Sequence, residues 1–218
     1  MKYNSLFLGS IGTLIETSDL QRESFNEAFK EAGLDWYWDQ EDYRLLLKQS
    51  GGTKRIEDVA EKNNTTVEAQ KIRDRKTEIF NQKLLTEQLM PRDGVIDVIE
   101  YAKNNQIKLG FVSSTTKDNI KSVFLALKNY LSEDDFDFVG NNTMIKNPKP
   151  HSDIYIKAIK RLNVEPNECI AIEDSRESAL SAHNAKISCV AFPGSFHEED
   201  NYDFCSKITL KLDASIFN

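Results

Sequence analysis

The chain is 218 residues long, with 29% charged and 39% hydrophobic residues and a formal net charge of −7. That length holds one large α/β domain, or a core with a smaller insertion. The acidic balance argues against a nucleic-acid surface, and no apolar run approaches the roughly eighteen residues of a membrane span. Lys117, Lys121 and Lys128 fall at helical spacing and read as a solvated face. Cys169, Cys189 and Cys205 are too far apart for a zinc clip, and their odd number fits reduced thiols better than a disulfide framework. Lys2 and the apolar run after it resemble a secretory leader superficially, but Ile15 leads into Glu16-Thr17-Ser18-Asp19 with no small-residue cleavage site. A cytoplasmic protein is expected.

Leu6 to Thr17, LFLGSIGTLIET, reads as a strand ending in a tight turn with Gly9, Gly12 and Thr13 at its mouth. Ser18-Asp19-Leu20-Gln21 has the form of a capping box opening a helix, with Phe25, Ala28 and Phe29 on its apolar face and Gly33 as its stop. An aromatic connector, GLDWYWD, feeds a second helix that ends at Gln49-Ser50-Gly51-Gly52. Trp36 and Trp38 read as packing residues. Further helices are expected at about 53–62 and 66–86. The absence of a convincing strand between Ser18 and about Gln88 predicts a helical insertion.

After Met90-Pro91 the pattern alternates. Val95, Val98, Ile99 and Ala102 mark a helix started near Gly94, and Ile107 to Val112 a strand running into Ser113-Ser114-Thr115-Thr116. A helix carrying Ile120, Val123, Phe124 and Leu127 follows, then a strand at Phe136 to Val139 and a break at Asn147-Pro148-Lys149-Pro150. A helix with Tyr155, Ala158, Ile159 and Leu162 leads to a strand, Cys169 to Ile172, ending in Glu173-Asp174-Ser175. Ser188 to Phe192 is the next strand, and Ile208 to Leu212 a candidate edge strand. The alternation predicts an α/β fold, a doubly wound parallel sheet with an inserted small all-helical cap: core at 1–17 and 89–218, cap at 18–88. Ligands of such sheets bind beyond the carboxyl ends of the strands, where GSIGTL, SSTT, NPKP and EDS all fall.

Those four clusters, in that order, resemble the loops of the haloacid dehalogenase-like hydrolases over essentially the whole chain. Gly12-Thr13-Leu14 matches the GTL of the family's first loop, DxDGT, and Ser113 its phosphate-binding hydroxyl. Lys149 in KPHSDIY matches the lysine and Glu173-Asp174-Ser175 the acidic motif. Glu16-Thr17, Arg22, GLDWYWD and SGGTKRI resemble the CbbY-like branch, sugar-phosphate phosphatases close to β-phosphoglucomutase, although Thr53 stands where that branch often has a lysine.

The resemblance implies a phosphorylated small metabolite as partner, with Thr13, Ser113, Ser114 and Lys149 around its phosphate. It implies Glu16, Gly51, Gly52 and Arg55 as cap or substrate contacts, and Glu173 and Asp174 holding Mg²⁺. Phosphoryl transfer spreads negative charge, so catalysis is largely positioning and charge stabilisation. The family's two aspartates attack phosphorus and shuttle the proton; aligned on Gly12-Thr13, their places hold Gly9 and Ile11. A lost nucleophile costs on the order of 10⁶ in rate, and the metal loses a carboxylate ligand, so Mg²⁺ binding should weaken. No catalytic residue is assigned.

Three readings stand: a degenerate hydrolase that binds a phosphorylated metabolite, a magnesium-dependent sugar-phosphate phosphatase using metal-activated water, and a non-catalytic interaction protein. Ser113 as an ordinary helix cap, and Glu173-Asp174 as an N-cap pair, stay open beside the functional assignments. Ser114-Thr115-Thr116-Lys117 matches S-x-x-K without its partner motifs. His151, His183 and His197 have no metal spacing.

Overall fold

The computed structural model describes residues 2–9, 11–48 and 51–217. The expected end of the second helix at Gln49 and Ser50 therefore lies outside the described residues. The chain forms two compact units, residues 1–16 with 88–218 and residues 17–87.

The first unit is built on a six-stranded, all-parallel sheet in the order β3-β2-β1-β4-β5-β6. The strands are β1 (Ser5–Gly9), β2 (Lys108–Val112), β3 (Phe138–Gly140), β4 (Cys169–Glu173), β5 (Ser188–Ala191) and β6 (Lys207–Ile208). β1 and β4 are buried along their whole length, which explains why both read as continuous apolar runs rather than alternating ones. From β1 the chain winds to one side through β2 and β3, then crosses back to lay β4 on the other side. Such a reversal opens a crevice at the carboxyl ends of the strands. Register brings three of those ends level, with Gly9 opposite Val112 and Leu8 opposite Ile172, so Gly9, Ser113 and Glu173 emerge together.

A short turn of helix, α1 (Ile11–Leu14), follows β1. The expected helix after Met90-Pro91 is α6 (Val95–Asn104), which buries Val95, Val98, Ile99 and Ala102 as their spacing requires. The sheet's remaining helices are α7 (Lys117–Ala126), α8 (Asp153–Leu162) and α9 (Arg176–Asn184). Cys169 and Cys189 are free and buried in the core; Cys205 is free and half-buried. The edge strand is shorter than Ile208 to Leu212. Thr209 turns the chain by donating to the Lys211 carbonyl at 2.6 Å, and the Leu212 amide bonds the Asp93 carbonyl at 3.1 Å instead of extending the sheet.

The second unit comprises α2 (Ser18–Glu31), α3 (Gln40–Leu46), α4 (Gly52–Lys62) and α5 (Ala69–Thr86), and no strand among the described residues. Its core is aromatic: Phe25, Phe29, Trp38 and Tyr43 pack with ring centroids 4.6 to 6.0 Å apart. Asn26 holds Trp38 in place by bonding both its amide and its carbonyl. The capping box is not formed. Thr17 is the N-cap, without a side-chain bond, and the Gln21 oxygen that would close the box accepts instead from Lys76. Gly33 ends α2 as expected, at φ +70. No helix among the described residues is long and apolar enough to cross a membrane.

Gly94 opens α6 at φ +82, and a β-carbon there would lie 1.9 Å from the Leu212 carbonyl oxygen. Gly94→Ala is expected to lose upward of about 2 kcal/mol in urea unfolding. Gly33→Ala, with nothing within 4 Å of the added carbon, should lose only the conformational part, about 1 kcal/mol.

Candidate functional site

The carboxyl ends of β1, β2 and β4 and the loop before α8 carry the phosphate- and metal-site candidates singled out from the sequence. Glu173, the last residue of β4, is completely buried. Its Oε1 accepts from the Lys149 ammonium and from the Tyr155 hydroxyl at 2.5 Å, and its Oε2 has no hydrogen-bond partner within the protein. Burial pushes the Glu173 carboxyl up to about 7; Asp174 adds to the rise, while Lys149 opposes it. The Tyr155 hydroxyl is held well above its ordinary range, first by burial and then by the adjoining Glu173.

Gly9 accounts for the position of that carboxylate. A β-carbon on Gly9 would lie 2.0 to 2.1 Å from Glu173 Cδ and both its oxygens. The Glu173 carboxylate thus occupies the volume that any side chain at position 9 would enter. Gly12 plays a similar part for the next residue, since its β-carbon would lie 2.0 Å from Asp174 Oδ2. Two acidic side chains of the β4 end are seated against two glycines of the β1 turn.

Ser113 is buried, and its Oγ accepts from the Thr115 amide at 3.2 Å, while α7 is capped by Thr116. The simple helix-cap reading of Ser113 therefore does not hold, and Ser114 is half-buried beside it. Glu173 and Asp174 are not the N-cap of α9 either; that position is Ser175. Thr13 is fully buried inside α1, and Ile11 is buried. Glu16 is exposed and accepts from the Ser195 amide at 2.7 Å, within the first unit. Gly51, Gly52 and Arg55 belong to the second unit, at the start of α4.

Arg92 escaped the sequence reading. Its guanidinium donates to the carbonyls of Gly12 and Phe192, both at 2.8 Å, and of Pro193 at 2.5 Å, and it lies 3.5 Å from the centroid of the Phe192 ring. It ties the β1 turn to the chain leaving β5. Only its place after Met90-Pro91 marked it. Tyr155 was visible in KPHSDIY but counted as an apolar helix position, and its hydroxyl is the part that matters here. In the second unit Arg73 and Lys76 were also missed; they sit in a charge-rich stretch of α5 that looks solvated, yet Lys76 is only 4% exposed.

Magnesium is a hard ion that takes an octahedral set of oxygens. Asp174 and the free Glu173 oxygen are hard donors, but the other Glu173 oxygen is already committed to an ammonium and a phenol. No group of three or more His, Cys, Asp or Glu that could hold a metal gathers among the described residues. Asp174 and the remaining Glu173 oxygen are the donors that would hold such an ion, which commonly binds through one or two carboxylates with water and substrate phosphate completing its set.

The sequence model of the haloacid dehalogenase-like hydrolases matches residues 12–192. Protein CbbY of Rhodobacter capsulatus is 32% identical over 205 residues, which cover 93% of this chain and 90% of that protein. Crystal structures of CbbY from Rhodobacter sphaeroides, one with phosphate and one of a mutant with xylulose-(1,5)bisphosphate, superpose with TM-scores of 0.85 and 0.86. Each is 29% identical and covers 96% of this chain and 94% of the other.

Two outcomes follow from the buried carboxylate. Its folded value, about 7, exceeds its ordinary 4.5, so the folded state binds the proton more tightly. The stability this gives is fully present below about pH 4.5 and is lost as pH rises through about 7. Urea unfolding should therefore show wild type losing stability relative to Glu173→Gln across that window; a constant difference would contradict the assignment. Separately, Gly9→Ala should cost roughly 1–3 kcal/mol by displacing Glu173. Most of that cost should vanish in a Glu173→Ala background, read as coupling in a double-mutant cycle.

Proposed function

The chain belongs to the haloacid dehalogenase-like hydrolase family, as a CbbY-like member, and from that membership we propose that it binds a phosphorylated sugar without the family's phosphoaspartyl chemistry. The observation that carries this reading is the seating of Glu173 in the space beside Gly9. Where a carboxylate on β1 would attack phosphorus, this chain has no side chain, and the volume is filled by an acid already engaged with Lys149 and Tyr155. Ile11, two residues on, has no titratable atom to move a proton.

The remaining groups favour anion binding. Lys149 supplies a positive charge where desolvation strengthens it, and Ser113 supplies a hydroxyl at the adjoining strand end. An incoming phosphoryl group competes with Glu173 for the Lys149 ammonium, and protonation of Glu173 favours the phosphoryl group in that competition. The relative solved with xylulose-(1,5)bisphosphate makes a bisphosphorylated pentulose the first ligand to try. The helical unit, residues 17–87, is taken as the inserted cap of such proteins, with Arg55, Gly51 and Gly52 as its ligand contacts.

The test is calorimetric titration of the whole chain with xylulose-1,5-bisphosphate, beside an assay for released phosphate. Saturable binding is expected, weakened at least about tenfold, or about 1.4 kcal/mol, in a folded Lys149→Met variant, with no turnover above the uncatalysed rate. Rapid phosphate release that disappears in Lys149→Met would show an active phosphatase and defeat the reading. So would binding indifferent to Lys149.

A further inference from the structure

Two of the three cysteines meet at the β5–β6 side of the sheet. Cys189 lies within β5 and is 2% exposed; Cys205 stands just before β6, half-buried, and packs against the same core cluster. The backbone joins the two places. The Ser206 amide donates to the Cys189 carbonyl at 2.8 Å, and the Ser206 hydroxyl donates to the same oxygen at 2.9 Å. From there β5 and β6 run in parallel, with Val190 opposite Lys207. Neighbouring strands lie about 4.8 Å apart, inside the roughly 4.4–6.8 Å between α-carbons that a disulfide spans.

The thiols themselves interact. The Cys189 side chain hydrogen-bonds that of Cys205, which lowers the Cys205 thiol from its ordinary value and, together with burial, raises that of Cys189. Cys169 is different. It is buried in β4, its thiol donates to the Glu165 carbonyl at 3.2 Å, and burial pushes it up to about 12. Oxidation selects a thiol that is reachable, easily ionised and next to a second thiol. Cys205 meets each condition, with exposed Ser206 beside it in the chain, and Cys189 is the second thiol.

We propose that Cys205 and Cys189 form a hydroperoxide-sensitive thiol pair that closes to a disulfide between β5 and the segment entering β6. Cys205 sulfur attacks one oxygen of the hydroperoxide and the O–O bond breaks. Cys205 becomes a sulfenic acid, and its thiol proton leaves with the other oxygen as an alcohol, or as water from hydrogen peroxide. Cys189 sulfur then attacks Cys205 sulfur, the S–O bond breaks, and the oxygen leaves as water with the Cys189 proton. Two thiols lose two electrons, and one hydroperoxide gains them. The bond tethers the loop between β5 and β6, whose Gly194 amide and Tyr202 hydroxyl both donate to the Asp174 carbonyl, at 2.9 and 3.5 Å. Redox state thereby bears on the carboxyl end of the sheet through backbone contacts. The pair stands whether or not the chain binds a phosphorylated sugar.

The experiment treats the reduced, folded full chain with hydrogen peroxide, then blocks the remaining thiols and maps the digest by mass spectrometry. Free thiols should fall from three to one, with Cys189 and Cys205 in one joined peptide that dithiothreitol separates and Cys169 left reduced. In Cys189→Ser, Cys205 should stop at a sulfenic acid that dimedone traps. In Cys205→Ser, peroxide consumption of thiols should slow at least about tenfold. The joined chain should melt higher than the reduced one, because the tie restricts the unfolded chain. Cys205 passing to sulfinic acid in wild type without a joined peptide overturns the proposal. So does a joined peptide that contains Cys169, or a joined chain that melts lower than the reduced one. The wild-type map and Cys205→Ser keep the test decisive if Cys189→Ser does not fold.

Discussion

The carboxyl end of the sheet is arranged around one buried ion pair, Lys149 with Glu173. A carboxylate with no exposed surface is tolerable only if it is neutralised or paired, and the chain does both in part. It supplies an ammonium and a phenol to one oxygen, and burial moves the carboxyl towards protonation near neutrality. That requirement reaches into several elements. Lys149 fixes the Asn147–Pro150 segment to the end of β4, Tyr155 binds α8 to the same point, and Gly9 must lack a side chain for the carboxylate to fit. Losing the Lys149 contact would leave a buried carboxylate with only a neutral donor.

The two units treat buried charge differently. In the first, Lys149 meets a carboxylate, and the Arg92 guanidinium is spread over three backbone carbonyls that would otherwise end the β1 turn and β5 without partners. In the second, Lys76 meets an amide, and its charged neighbours share its sign.

Much of this architecture is legible in the chain. The apolar runs at β1, β2, β4 and β5, each ending in small or polar residues, declare a parallel sheet buried on both faces. The order of GSIGTL, SSTT, NPKP and EDS places the site at its carboxyl edge. What local pattern conceals is the destination of long side chains. Ser18 to Gln21 has the spacing of a capping box, but the Gln21 oxygen goes to Lys76, 55 residues away. Arg92 bonds carbonyls 80 and 100 residues distant, and nothing beside it in sequence announces either. Tyr155 carries an apolar ring at a core position and a hydroxyl in a charge network, and periodicity registers only the ring. Glu173 reads as a metal ligand or an N-cap acid beside Asp174, and nothing in the local pattern shows that its carboxylate lies against Gly9.

Gly9 also bears on how the chain can change. A single codon step that places an acid at position 9 drives a second carboxylate into space that Glu173 already fills. Each intermediate on such a route loses something: a shifted Glu173 abandons Lys149, and a shortened one strands it. The glycine and the glutamate are therefore locked together as a pair, and neither position can change without the other.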